Sequence, residues 1–162
     1  MTDTLWAPWR MDYILSPKDG ECFFCLPETH QSGPLPERLV LYSDPLALII
    51  MNLYPYNNAH LMTAPRRHVA TLAQTTPEER LALVNLAARA TEILDRAMKP
   101  HGYNLGINQG PIAGAGLADH LHLHITPRYQ GDTNYMTVLG EVRVIPEHIR
   151  ATYDQLVGWF NC

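Results

Sequence analysis

Three cysteines in 162 residues are too few for a disulfide framework. No apolar run approaches the roughly 18 residues that a membrane-spanning helix takes, so no membrane partner is expected. The opening MTDTLWAPWRMDYI lacks a basic stretch followed by an apolar one, which predicts no signal peptide and a cytoplasmic location. Positive charge is also scarce: 12 Lys and Arg stand against 16 Asp and Glu, a net charge of −4. Nucleic acids are gripped by clustered Lys and Arg, so the balance argues against such a partner, though it leaves room for a small anionic substrate in a locally positive site. No internal repeat and no low-complexity tract occurs. Against these absences stand 46% hydrophobic and 17% charged residues, the composition of a folded chain with a real core.

The pattern predicts one domain over residues 1–162. Residues 1–37 form an irregular segment with Trp6, Trp9 and the spelling CFFC from Cys22 to Cys25. Residues 38–162 carry the regular elements. Strands are expected at Arg38–Ser43, Leu46–Asn52 and His60–Ala64, where β-branched and aliphatic residues lie between turn signals such as Asp44–Pro45. A long helix is expected from Thr76 to Met98. Thr76 suits the N-cap, Pro77 the first turn, and Glu79 completes a capping box. Its apolar stripe is Leu83, Leu86, Ala87, Ala90, Ile93, Leu94 and Ala97. A fourth strand at Tyr103–Asn108, a glycine-rich loop at Gly110–Gly116, a fifth strand at His120–Thr126 and a short helix near Pro146–Phe160 follow. The fold class expected is α+β, with helices on an antiparallel sheet.

The fifth strand reads HLHLHIT, three of the eight histidines alternating with aliphatics. In a strand, residues two apart share a face, so His120, His122 and His124 line one side while Leu121, Leu123 and Ile125 enter the core. A solvated face is ordinarily built from Lys, Glu, Thr or Ser. Three adjacent imidazoles resist collective protonation near neutral pH and fit nucleophilic, metal-binding or tautomer-fixing roles better. Just upstream, Asn108 and the glycines at 110, 114 and 116 form a loop whose backbone N–H groups could approach phosphate oxygens. No Lys-Ser/Thr follows, so the loop is not a P-loop.

HLHLHIT resembles the H-φ-H-φ-H-φ-φ signature of the histidine triad (HIT) superfamily, φ being hydrophobic. Asn52 and His60, eight apart in MNLYPYNNAHL, resemble that family's ribose-binding Asn and following His. WAPWRMDYI, GAGLADHLHLHITPRYQGDTNYM and VRVIPEHI are similar to the bacterial diadenosine tetraphosphate phosphorylase branch. The resemblance implies a five-stranded antiparallel sheet with one long helix and a short C-terminal helix, assembled as a homodimer through the fourth strand and the long helix. It implies His122 as nucleophile on the α-phosphorus, forming a nucleotidyl-histidine, with His124 on the phosphate or leaving group. Asn108, Gly114, Ala115 and Gly116 would stabilise phosphoryl charge. Asn52 and His60 would serve ribose or the site's second shell, Arg128 a distal phosphate, and Tyr129 a base. Trp6, Trp9 and Arg10 read as packing and dimer contacts. The implied activity is phosphorolysis of diadenosine tetraphosphate to ATP and ADP. The alternatives are a hydrolase of dinucleoside polyphosphates or nucleoside phosphoramidates, or a non-catalytic nucleotide-binding module.

Cys22 and Cys25 supply two ligands of the four that a structural zinc takes. His68 and His120 are the candidates for the rest, an arrangement similar to that of zinc-bearing triad proteins. Inert thiols come second and a redox pair last, because a redox CxxC ordinarily opens a helix and the proline-rich surroundings give no sign of one. His30, His101 and His148 read as loop or surface residues, and Cys162 as a frayed thiol.

Overall fold

The computed structural model describes residues 22–115, 117–132 and 147–161. Trp6, Trp9, Arg10, Gly116, Asn134 and Cys162 lie outside them. Five strands form one antiparallel sheet: β1 (Val40–Ser43), β2 (Ala47–Met51), β3 (Leu61–Pro65), β4 (Gly102–Ile107) and β5 (Leu123–Arg128), in the spatial order β1-β2-β3-β5-β4. Two helices, α1 (Pro77–Ala97) and α2 (Ile149–Phe160), complete the fold. The α+β architecture implied by the sequence is the one observed. Among the described residues no helix is long and apolar enough to cross a membrane.

Helix α1 begins where its capping chemistry dictates. The Thr76 hydroxyl accepts from the Glu79 N–H, and the Glu79 carboxylate accepts from the Thr76 N–H. Such caps contribute about 1 kcal/mol. Glu79 also pairs with Arg67 at 2.8 Å. The buried face holds Leu83, Leu86, Ala87, Ala90, Ile93 and Leu94, and it packs across β2, β3 and β5. Leu121 joins Ala47, Leu83 and Leu86 in one cluster. The aliphatics of the HLHLHIT run therefore face α1, and its imidazoles face the other side of the sheet. Helix α2 packs on β1 and α1, where the Tyr153 hydroxyl donates to the Val40 carbonyl.

Most element ends shift by a residue or so from those the sequence predicts, and the larger shifts have physical reasons. The first strand starts at Val40 because Pro36–Arg38 form a 3₁₀ turn that ends on Leu39 at φ +61°. The fifth strand starts at Leu123, not His120. The β3–β5 register pairs Leu61 with Ile125, Met62 with His124 and Thr63 with Leu123. Two steps further along β3 lies Pro65, which has no N–H to donate, and the ladder stops. The Pro65 carbonyl is taken by a side chain instead, His120 Nε2 at 2.9 Å, and the Leu121 N–H goes to the Val69 carbonyl at 2.6 Å. His120 and His122 thus lie just ahead of the strand, His120 in a bend, and only His124 lies in the ladder. Pro146, expected at the start of the last helix, is outside the described residues, and α2 begins at Ile149 behind a His148 cap.

Candidate active site

A half-open cleft on the histidine face is lined by Phe23, Phe24, Asn52, Leu53, Tyr54, Tyr56, Met62, Leu117, His122 and His124. The three triad imidazoles stay together: His122 and His124 have ring centroids 4.8 Å apart. His120 is buried beside them at 1% exposure, but it faces the cysteines and does not line the cleft.

The hydrogen bonds fix which nitrogen of each ring carries a proton. His122 Nδ1 lies 2.8 Å from the His120 carbonyl, which can only accept, so Nδ1 bears the hydrogen and Nε2 is left with a lone pair. At His60, Nδ1 faces two donors, the Tyr56 N–H at 3.0 Å and the Asn52 side-chain amide at 3.2 Å. The Asn52 orientation is set by its oxygen, which accepts from the Tyr54 N–H. His60 Nδ1 is therefore an acceptor, and Nε2–H donates to His124 Nδ1 at 3.0 Å. That leaves the proton of neutral His124 on Nε2. A one-way chain results, from Tyr56 N–H and Asn52 through His60 to His124.

Burial keeps His60, His120 and His122 uncharged. His60 is fully buried, and its pKa is lowered to about 3, by desolvation first and then by His124 and His122. Desolvation also lowers His122, against the opposing pull of its bond to the His120 carbonyl. His120 is lowered to about 4, again mainly by burial. A neutral imidazole with one bare nitrogen is a nucleophile, and a neutral one with an outward N–H is a hydrogen-bond donor. His122 and His124 are one of each.

Of the other residues singled out in the sequence, Asn52 borders the cleft and is engaged with His60. Asn108 and Gly114 adjoin: a Cβ at Gly114 would come within 4.0 Å of Asn108 Nδ2, and the backbone there has φ +83°, which favours glycine. Ala115 follows, half-buried. Arg128 and Tyr129 are not brought to the cleft. The Arg128 guanidinium bonds both oxygens of Asp132 and the Asn104 side chain, and the buried Tyr129 hydroxyl finds no hydrogen-bond partner among the described residues. Asp132 gathers the corner, accepting also from Asn57 and the Tyr129 N–H.

A second cluster lies behind the triad. Cys22, Cys25, His68 and His120 each offer one ligand atom, and the four atoms lie within 4.8 Å of one another. Sγ of Cys22 is 3.3 Å from His120 Nδ1, and Sγ of Cys25 is 3.3 Å from His68 Nδ1 and 3.7 Å from His120 Nδ1. Sulfur and nitrogen held tetrahedrally at about 2.3 and 2.0 Å from one metal are about 3.5 Å apart. The donor set fits such an ion. Because His120 Nε2–H is spent on the Pro65 carbonyl, its Nδ1 lone pair is directed at the thiols, the usual way a protein orients a ligating imidazole.

Aromatic side chains wall the cleft. Phe24 stacks on His122, with centroids 4.9 Å apart and planes at 27°. Tyr56 lies over both His60 and His124, at 4.8 and 5.8 Å. The two phenylalanines were legible only as spacers between the cysteines, and no local pattern signals that they meet the triad about 100 residues away.

Comparison with known proteins agrees with this geometry. The HIT domain model matches residues 36–131. An AP-4-A phosphorylase of Mycobacterium tuberculosis is 36% identical over 158 residues, spanning 91% of this chain and 79% of that one. A bis(5'-nucleosyl)-tetraphosphatase [asymmetrical] of Schizosaccharomyces pombe is 30% identical over 57% of this chain and 50% of its own. The fold matches that of a Zn-bound histidine triad family protein from Mycobacterium smegmatis, with TM-score 0.63 at 24% identity, over 76% of this chain and 84% of that one. With the family model covering residues 36–131 and the site geometry in place, the chain belongs to the HIT domain family.

Proposed function

We propose that the chain is a nucleotidyl transferase that cleaves diadenosine tetraphosphate by phosphorolysis. The observation that carries this reading is the pairing, in one cleft, of a bare His122 Nε2 with a protonated His124 Nε2. His122 Nε2 attacks the α-phosphorus of one nucleotide, forming the N–P bond as the P–O bond to the rest of the polyphosphate breaks. ATP leaves, and the N–H of His124 meets the oxygen on which charge develops. Inorganic phosphate then attacks the same phosphorus, the N–P bond breaks, and ADP departs with the free imidazole restored. The similarity to the M. tuberculosis phosphorylase supports phosphate as acceptor. Phosphoryl transfer is governed mainly by electrostatic stabilisation of the equatorial oxygens. Asn108 and the backbone at Gly114, Ala115 and Gly116 are assigned that task. Asn52 holds His60 and stands at the cleft wall, within reach of a ribose. Arg128 and Tyr129 are assigned to the Asp132 corner rather than to the substrate.

The metal assigned to Cys22, Cys25, His68 and His120 is zinc, on the strength of the two-thiolate, two-imidazole donor set. Its role is structural: it ties the Cys22–Cys25 loop to the sheet, and no chemical step passes through it. Thiolates kept available for a metal fit a reducing compartment such as the cytoplasm. The assembly is assigned as a homodimer. Strand β4 is the sheet edge, Leu105 is 54% exposed on it, and Leu81 and Val84 of α1 are 61% and 58% exposed. An apolar open edge of this kind invites pairing with a second copy.

One experiment tests the core of the proposal. The protein is mixed with radiolabelled diadenosine tetraphosphate, quenched early, and digested for mass spectrometry. AMP bonded to His122 is expected with one equivalent of ATP released, whereas ADP, and ATP beyond that equivalent, should appear only when phosphate is present. Label on another side chain refutes the mechanism. AMP and ATP formed in phosphate-free buffer identify a hydrolase. His122→Ala should lower turnover by about 10³-fold or more while the circular dichroism spectrum stays unchanged.

A further inference from the structure

The residues between the two cysteines belong to two sites at once. Cys22 and Cys25 point their thiols at the imidazoles of His120 and His68. Phe23 and Phe24, between them, line the cleft. Phe24 is 2% exposed and packs on both His120 and His122, with centroid distances of 5.2 and 4.9 Å. Phe23 meets Phe24 edge-on at 5.5 Å.

The backbone of this short loop has one further restraint. Arg38 donates from Nη1 to the Cys25 carbonyl at 2.9 Å, and from Nη2 to the carbonyls of Cys22 and Phe23 at 3.2 and 3.4 Å. A planar guanidinium with several fixed donors can hold three carbonyls in one arrangement, which a lysine ammonium does less specifically. His120 closes the circuit, because its ring faces the thiols while its carbonyl holds Nδ1 of His122. The metal cluster, the aromatic wall and the nucleophile's orientation thus share a small set of atoms.

We propose that the Cys22–Cys25 loop couples metal to nucleotide: a metal on the two thiols and Arg38 on the loop carbonyls fix Phe23 and Phe24 as a wall of the cleft, so that metal occupancy sets nucleotide affinity. The inference rests on the nucleotide reading above and adds Arg38 as a positioning residue. A loop this short has no hydrophobic core of its own, and loosening its ends releases the aromatic wall. Because the coupling is an equilibrium one, it is reciprocal: whatever factor zinc contributes to nucleotide binding, nucleotide must return to zinc binding.

The test uses the full chain and AMP, in zinc-loaded and chelator-stripped forms, with binding followed by calorimetry and folding by thermal melting. Stripping is expected to weaken AMP binding about tenfold, within the usual range for coupled sites. AMP is expected to tighten zinc by the same factor. In Phe24→Leu the zinc content should stay at one per chain while the AMP affinity falls and loses its dependence on zinc. Arg38→Ala, with zinc retained, should weaken AMP several-fold, and Arg38→Lys should fall between. These two zinc-loaded variants decide the matter if the stripped protein melts. Equal AMP affinity with and without zinc, or wild-type affinity in Arg38→Ala, overturns the coupling and leaves the nucleotide reading standing. Failure to take up zinc also overturns it. Failure of the zinc-loaded protein to bind AMP overturns both readings.

Discussion

His60 Nε2 lies 3.0 Å from His124 Nδ1, and the bond runs in one direction because His60 Nδ1 already accepts from Tyr56 and Asn52. The buried ring does not line the cleft, yet it determines that the outward nitrogen of His124 carries a proton. Replacing it by alanine should therefore release the His124 ring and remove a fixed N–H from the leaving oxygen. His60→Ala is expected to lower kcat for diadenosine tetraphosphate about 10²-fold, the usual weight of one fixed donor, with a smaller change in KM. His60→Gln, whose amide can still donate to His124 Nδ1, should recover part of the loss. A lower melting temperature with kcat unchanged would show that His60 serves only packing.

The same ring makes stability depend on pH. Unfolded histidine titrates near 6.5, whereas folded His60 is pushed down to about 3 by burial, His124 and His122. Between those values the unfolded chain binds a proton that the folded chain refuses. The stabilisation from keeping His60 neutral is complete above about pH 6.5 and is lost as pH falls toward 3. One such group gives a slope of about 1.4 kcal/mol per pH unit. Urea midpoints measured from pH 7 to pH 4 should fall more gently in His60→Gln than in the wild type, and parallel curves would reject this origin.

The cysteine–histidine cluster predicts one zinc per chain in protein purified without chelator. Cys22→Ser and His68→Ala should each lower zinc content and the melting temperature. Elemental analysis giving less than about a tenth of an equivalent in the wild type would remove the metal assignment.

The open β4 edge predicts a concentration-dependent dimer. Leu105→Glu places a charge in the middle of the exposed strand and should shift sedimentation toward a monomer, with Leu81→Glu acting in the same direction. A wild-type chain that sediments as a monomer at all concentrations would remove the dimer.

Local chemistry in the sequence reached far into this molecule. Thr76, Pro77 and Glu79 located the start of α1, and the alternation in HLHLHIT separated imidazoles from core residues. The C-x-x-C spacing, with the matching histidines, led to atoms that do converge. The rest depends on contacts between distant segments. That Pro65 ends the ladder, that Phe24 stacks on His122 and that Asp132 ties Arg128 to Asn57 follow from which strands lie side by side. No short window of sequence contains that pairing. Arg128 is another case: a cation next to the histidine run invites a ligand role, and its pairing with a carboxylate four residues on becomes visible only in the fold.

The missing N–H of Pro65 gives His122 and His124 unequal footing. His124 is woven into a ladder with neighbours on both sides, whereas His122 hangs one step beyond it, steadied by its own imidazole bond and an aromatic neighbour. Warming should therefore unsettle His122, the proposed nucleophile, while His124 is still firmly seated. Activity would fade along a gradual slope before the cooperative melt, and a tightly bound nucleotide would postpone that early decline more than it raises the melt itself.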